Sequence, residues 1–181
     1  MQVTTVGLDL AKNVFQIHGI TDCGEVAFNR ALRRAQVLAF FERLDPCLIG
    51  IEACSTGHYW ARELQSRGYE VRLIAPQFVK PYVKSNKNDA NDAEAICEAM
   101  SRPNMRFVTV KSVEQQDIQA THRVRSELKD QRNAKANQIR GLVAEYGLVA
   151  PQTLLALRRA IPCWLEDADN GLTDHFRSLL H

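Results

Sequence analysis

Three short runs rich in β-branched and aromatic residues, VTTVGLDL (3–10), VFQIHGI (14–20) and EVAFNRAL (25–32), open the chain with only AKN and TDCG between them. Strands joined by links this short lie side by side as an antiparallel meander, because a parallel pair needs a crossover of a dozen or more residues. Helix and strand signals then alternate. RAQVLAFFERLD (34–45) carries Val37, Leu38, Phe40, Phe41 and Leu44 on one helical face, and CLIGIE (47–52) reads as a short strand buried inside a sheet. STGHYWARELQSRG (55–68) opens on a candidate cap, Ser55 or Thr56, and stops at Gly68; YEVRLIA (69–75) is the next strand and ends at Pro76. PQFVKPYVKSNK (76–87), with two prolines and three lysines, is a loop or short helical link, and NDANDAEAICEAMSR (88–102) is a helix stopped by Pro103.

Strand, strand, strand, helix, strand, helix, strand, link, helix is an order with few solutions. Right-handed crossovers after a three-stranded meander give an α/β fold, a mixed five-stranded sheet with helices on its faces. It resembles the ribonuclease H-like topology, by analogy of element order alone. MRFVTV (105–110) either adds a strand or connects. From Ser112 to Gly147 one long helix is expected, opening on a capping-box pattern of Ser112 with Gln115 and containing no proline. Its apolar stripe, Ile118, Val124, Leu128, Ile139, Leu142, Val143 and Tyr146, is narrow, which suits a partner helix in a dimer or hairpin, with packing against its own domain as the other reading. Short helices broken at Pro162 and Gly171 close the chain. The expected division is 1–110 as a catalytic domain, 111–147 as a coiled-coil-like segment and 148–181 as a helical tail.

No run of eighteen apolar residues and no leader segment is visible, so a cytoplasmic protein without a membrane span is expected. Five scattered cysteines, none in a CxxC, suit small apolar fillers in a reducing compartment. The formal net charge of +2 conceals a gradient: residues 102–140 hold 9 Lys and Arg against 4 Asp and Glu, while residues 1–101 hold 11 against 12. A basic block of that kind points to a polyanion partner.

The acids carry the chemistry. Asp9 sits in the apolar first strand and Glu52 ends the apolar fourth, where a charge is costly unless it meets a partner or a cation. In the expected sheet these two strands are neighbours, and the helix bearing Asp89 and Asp92 packs near their ends. Like charges about 4 Å apart repel by roughly 4 kcal/mol at an effective dielectric of 20, so four converging carboxylates must take up protons or bind cations. Hard oxygen donors suit Mg²⁺ or Mn²⁺, and two such ions clamp the attacking and leaving oxygens of a phosphodiester. Asp9 would bridge them, with Glu52, Asp89 and Asp92 completing the shells. Lys12, Lys80, Lys84 and Lys87 flank this pocket as candidate phosphate holders. Arg123, Arg125, Lys129, Arg132, Lys135 and Arg140 lie along the long helix as candidate nucleic-acid contacts. His58 reads as a packed helix-start histidine, and Gly7 as a place of close approach or a strand irregularity.

GLDLAKNVFQIHG, CLIGIEAC with WAREL downstream, VRLIAPQFVKPYVK and KNDANDAEAI, in this order, resemble the DEDD-type transposases of bacterial insertion sequences, the class to which the Piv invertase belongs. The resemblance implies a RuvC-like catalytic domain whose acidic tetrad falls on Asp9, Glu52, Asp89 and Asp92. It implies DNA recombination during transposition, DNA and a structured guide RNA as partners, and a homo-oligomer assembled through the long helix. Such proteins carry a further C-terminal transposase domain bearing a serine nucleophile, and this chain stops at His181 before any matching motif. Other readings are an autonomous RuvC-like junction resolvase or nuclease, and a non-catalytic nucleic-acid-binding module. A sugar-kinase or actin-like ATPase would need a second glycine-rich phosphate turn, which the sequence lacks.

Overall fold

A computed structural model describes residues 2–83 and 89–181, with Asp89 and Ala90 described as helix residues but not in their side chains. The chain divides into two compact units, Met1–Glu114 and Gln115–His181. In the first, strands β1 (Val3–Asp9), β2 (Val14–Thr21) and β3 (Val26–Arg33) form the meander. A 3₁₀ turn at Arg34–Gln36 leads into helix α1 (Val37–Phe41), followed by β4 (Leu48–Glu52), α2 (Gly57–Gln65) and β5 (Glu70–Ile74). A short helix α3 (Pro76–Val79) precedes α4 (Asp89–Met100) and β6 (Phe107–Val108). The sheet order is β3-β2-β1-β4-β5-β6, with β1–β4 and β4–β5 parallel and the remaining pairs antiparallel.

The sheet is an α/β arrangement consistent with the expected ribonuclease H-like order, and it has six strands where five were expected. MRFVTV supplies the sixth through two residues, Phe107 and Val108, opposite Ile74 and Leu73. Two residues are too few to show a period of two in the sequence. The Arg72 guanidinium, 5.0 Å from the Phe107 ring centroid, covers this edge.

Alternation along the strands divides the core in two. Val6 and Leu8, Ile49 and Ile51, and Val71 and Leu73 point to one face, where they pack with Phe41, Trp60 and Leu64. The other face is covered by α4, whose Ile96, Ala99 and Met100 pack with Ile74 and Val79. Here the sheet carries glycine instead of side chains: Gly7 and Gly50 stand opposite each other in β1 and β4. A Cβ on Gly7 would overlap the carbonyl oxygen of Ala93 and lie 2.9 Å from the amide nitrogen of Cys97. One on Gly50 would lie 2.5 Å from Met100 Cγ. At Gly7 the helix therefore rests on the sheet backbone itself, and at Gly50 it does so through the Met100 and Ile96 side chains.

Helix α2 starts after Thr56, which takes the N-cap position without a side-chain capping bond. Its His58 Nδ1 accepts the Lys111 backbone N–H at 3.1 Å, and Arg62 donates to the Lys111 carbonyl at 2.6 Å. The pair ties residue 111 to the α2 surface. Burial, with the positive charges of Lys111 and Arg62, pulls the His58 pKa below its ordinary 6.5.

The second unit contains α5 (Val113–Ala144, which begins at the end of the first), α6 (Leu154–Glu166) and α7 (Asp174–Leu180). Gly147, at φ 77°, turns the chain after α5, and the Leu148 N–H returns to the Val143 carbonyl. Val143, Leu172 and Phe176 are the buried centre, with Ile139, Tyr146 and Trp164 against them. Arg177 donates to the carbonyls of Trp164, Leu165 and Asp167 and so covers the end of α6. The expected break at Pro162 does not occur, since α6 runs through it. Proline removes one bond to the Arg158 carbonyl, but Leu157, Ile161 and Trp164 keep helical spacing across it, and their burial outweighs that loss. Among the described residues no helix is long and apolar enough to cross a membrane.

Gly7→Ala should cost about 3 kcal/mol in urea unfolding, because α4 backbone cannot yield as a flexible side chain would. Gly141→Ala, in α5 with open space around its Cβ position, should instead gain about 0.5–1 kcal/mol. For His58 the unfolded chain binds the extra proton, so its contribution is complete above the ordinary pKa and is lost as pH falls through the lower folded value. Melting temperature should therefore drop more steeply between about pH 7 and 5 in the wild type than in His58→Ala.

Candidate active site

Asp9 ends β1 and Glu52 ends β4. Each is one residue beyond the last registered pair of these parallel strands, Leu8 opposite Ile51. Each is also two residues beyond a glycine that faces α4, so both carboxylates belong to the α4 face of the sheet, at neighbouring positions. The isoleucines and leucine between them, Leu8, Ile49 and Ile51, are fully buried on the other face, whereas Asp9 and Glu52 are half-buried. The strands end as acids where the apolar core ends.

Helix α4 runs antiparallel to β1. Cys97 Sγ is 3.9 Å from the Thr5 carbonyl, and the Ala93 carbonyl lies over Gly7. Each turn back along the helix advances toward the end of β1, so the first turn of α4 lies toward Asp9 and Glu52. Asp89 opens that helix; its side chain lies outside the described residues. Asp92 follows in the same turn and is half-buried. Among the described residues no three His, Cys, Asp or Glu side chains gather closely enough to hold a metal ion. The structure thus brings Asp9 and Glu52 together as a pair and puts Asp92 on the helix that overlies them, without closing a described three-ligand cluster. The donor chemistry is that of hard oxygens from two rigid strands, which fits Mg²⁺ or Mn²⁺.

The cysteine on this face is not a competing ligand. Burial pushes the Cys97 thiol up to about 12, so it is protonated and serves as a small filler between α4 and β1. Cys47 behaves likewise, raised to about 11 by burial.

Lys12 is exposed in the turn after Asp9, at the same end of the sheet. Lys80 lies in the turn after α3, and Lys84 and Lys87 lie outside the described residues. Arg123, Arg125 and Arg132 are exposed on α5, where every residue from 121 to 132 is exposed. Arg140 is occupied structurally, donating to the carbonyls of Pro151 and Gln152 at 3.0 and 2.6 Å. His58 holds residue 111, its Nδ1 accepting the Lys111 amide. The sequence reading noted Gly7 but missed Gly50, although CLIGIE repeats the glycine two residues before an acid that GLDL shows in β1.

A family model for DEDD transposases of the IS110 group, described as "Transposase", matches residues 6–148. A probable family 20 transposase of Pseudomonas aeruginosa is 60% identical over 150 residues, covering 83% of this chain and 44% of its own length. The transposase for insertion sequence element IS1111A of Coxiella burnetii is 43% identical over 179 residues, 99% of this chain and 49% of the relative. The transposase for insertion sequence element IS1328 of Yersinia enterocolitica is 43% identical over 157 residues, 87% and 47% respectively. The chain spans about half the length of the curated relatives it matches. A match that runs from β1 through α5, with the acids at the strand ends inside it, identifies the chain as a member of the IS110-group DEDD transposase family.

Proposed function

We propose that the first unit is the divalent-metal-dependent strand-cleaving site of a DNA transposase, acting on phosphodiester bonds during movement of an insertion sequence. The observation that carries this reading is the placement of Asp9 and Glu52 side by side on the α4 face at the ends of two parallel strands. Family membership supports the transposase role.

Asp9, Glu52, Asp89 and Asp92 would hold Mg²⁺ or Mn²⁺. When bound, such ions neutralise charge on the phosphate oxygens and activate the attacking oxygen. The chain's own residues supply the rest. Asp9 and Glu52 sit at the half-buried rim, and strands fixed by a full sheet hold them in register. Lys12, Lys84 and Lys87 would contact a phosphate backbone as point charges, and Arg123, Arg125 and Arg132 of the second unit would contact nucleic acid on their own. We further propose that DNA acts together with a structured guide RNA, and that a second copy covers the exposed Ile118, Val124 and Leu128 of α5, each about 60% exposed.

Titration of the metal-free chain with Mn²⁺ by calorimetry tests the metal assignment without requiring turnover. Asp9→Asn and Glu52→Gln should each weaken binding about tenfold or more. Unchanged Mn²⁺ affinity in both variants would contradict the assignment.

A further inference from the structure

The edge of the sheet farthest from β6 carries positive charge that the proposed site does not use. Between residues 26 and 44 there are four arginines, Arg30, Arg33, Arg34 and Arg43, and a single acid, Glu42. All four arginines are exposed. Among the described residues none of them is ion-paired with a carboxylate. Four unneutralised guanidiniums on one strand edge and the helix beside it repel one another, and they attract an anion.

Arg30 and Arg43 border a groove of about 650 Å³ between β3 and α1, floored by Phe28, Leu32, Phe40 and Leu44. Two of the guanidiniums are held by aromatic rings. Arg30 lies 4.7 Å from the Phe40 centroid, and Arg34 lies 5.2 Å from Trp60 and 5.7 Å from Phe15. Stacking fixes the plane of each guanidinium and leaves its N–H edges for an outside acceptor, the arrangement in which arginine recognises phosphate. The arginine run also has a direction. The Arg34 N–H donates to the Asn13 carbonyl at 2.8 Å, so its far end adjoins the β1–β2 turn that carries Lys12 and follows Asp9.

We propose that the β3–α1 groove binds a single-stranded segment of nucleic acid, with phosphates on Arg30 and Arg43 and unstacked bases on the apolar floor, leading toward Arg33, Arg34 and the acidic site. An apolar floor rimmed by cations fits a single strand better than a duplex. A duplex offers only its phosphates and would leave Phe28 and Leu32 uncovered, whereas exposed bases cover them. An acidic protein segment would satisfy the charges without needing the aromatic floor. The proposal rests on the nucleic-acid reading above and is independent of the metal site.

Fluorescence anisotropy of a labelled, mixed-sequence single-stranded oligonucleotide, with the full chain in the presence of a chelator, tests it. Arg30→Ala with Arg43→Ala should weaken binding about tenfold at moderate salt. The slope of log affinity against log salt should become shallower by about 1.4, the share of two phosphate contacts on a single strand. Arg30→Lys with Arg43→Lys keeps the charge but not the guanidinium forks, including the one stacked on Phe40, and should fall between wild type and the alanine pair. Circular dichroism melting of both double variants should match wild type, since all four substitutions are on the surface. In a background lacking Arg123, Arg125 and Arg132, the loss on removing Arg30 and Arg43 should persist. Wild-type binding with no loss in the alanine pair overturns the groove assignment alone, and absence of any wild-type binding overturns the nucleic-acid reading with it. An equal loss for a duplex of the same sequence overturns the single-strand assignment, and a change in self-association without a change in oligonucleotide affinity overturns the proposal in favour of a protein interface.

Discussion

Contact between a helix and bare strand backbone sets the geometry of this protein. Gly7 faces Gly50 across the β1–β4 pair and leaves no side chain of its own under α4, so the backbone of Ala93 and Cys97 comes down onto β1, while the Met100 and Ile96 side chains fill the space over Gly50. A helix separated from a sheet by ordinary side chains has freedom to slide and tilt as those side chains repack. One that rests on backbone does not, because neither surface deforms. The axial position of α4 is thereby fixed relative to the ends of β1 and β4, and with it the separation between the acids of the strands and the acids of the helix.

The same alternation that places glycine under the helix places the carboxylates. Asp9 and Glu52 are each two residues on from a glycine, beyond the edge of the packed helix, where they are half-buried and no longer inside the apolar core. Their neighbours Leu8 and Ile51 turn to the opposite face and anchor the strands in the core with Trp60 and Leu64. The buried core and the proposed chemistry thus lie on the two faces of the same strands. The buried opposite face supplies the rigidity that holds the two acids in place.

Much of this is legible in the residues. The meander, the alternation of helix and strand, and the acids at the ends of GLDL and CLIGIE all follow from local patterns that tertiary contacts reinforce. What was not legible has physical reasons. Phe107 and Val108 form a strand because β5 offers them an unpaired edge, which two residues cannot announce. Pro162 stays helical because Leu157 and Trp164 are held by packing that no local rule encodes. The role of Gly50 depends on its neighbour in β1, a relation between distant residues. The arginines of β3 and of the turns on either side of α1 were hidden because charge averaged over residues 1–101 cancels them against the acids of that stretch.

The central claim is that the ends of β1 and β4 and the start of α4 form one oxygen-ligand site whose spacing the glycine contact sets. Anomalous diffraction from crystals of this chain soaked in Mn²⁺ tests it most directly. An ion is expected about 2.1 Å from carboxylate oxygens of both Asp9 and Glu52, with a further ligand from the first turn of α4. Manganese bound elsewhere while Asp9 and Glu52 coordinate nothing, or bound by the strand acids with α4 lying away from them, would contradict it.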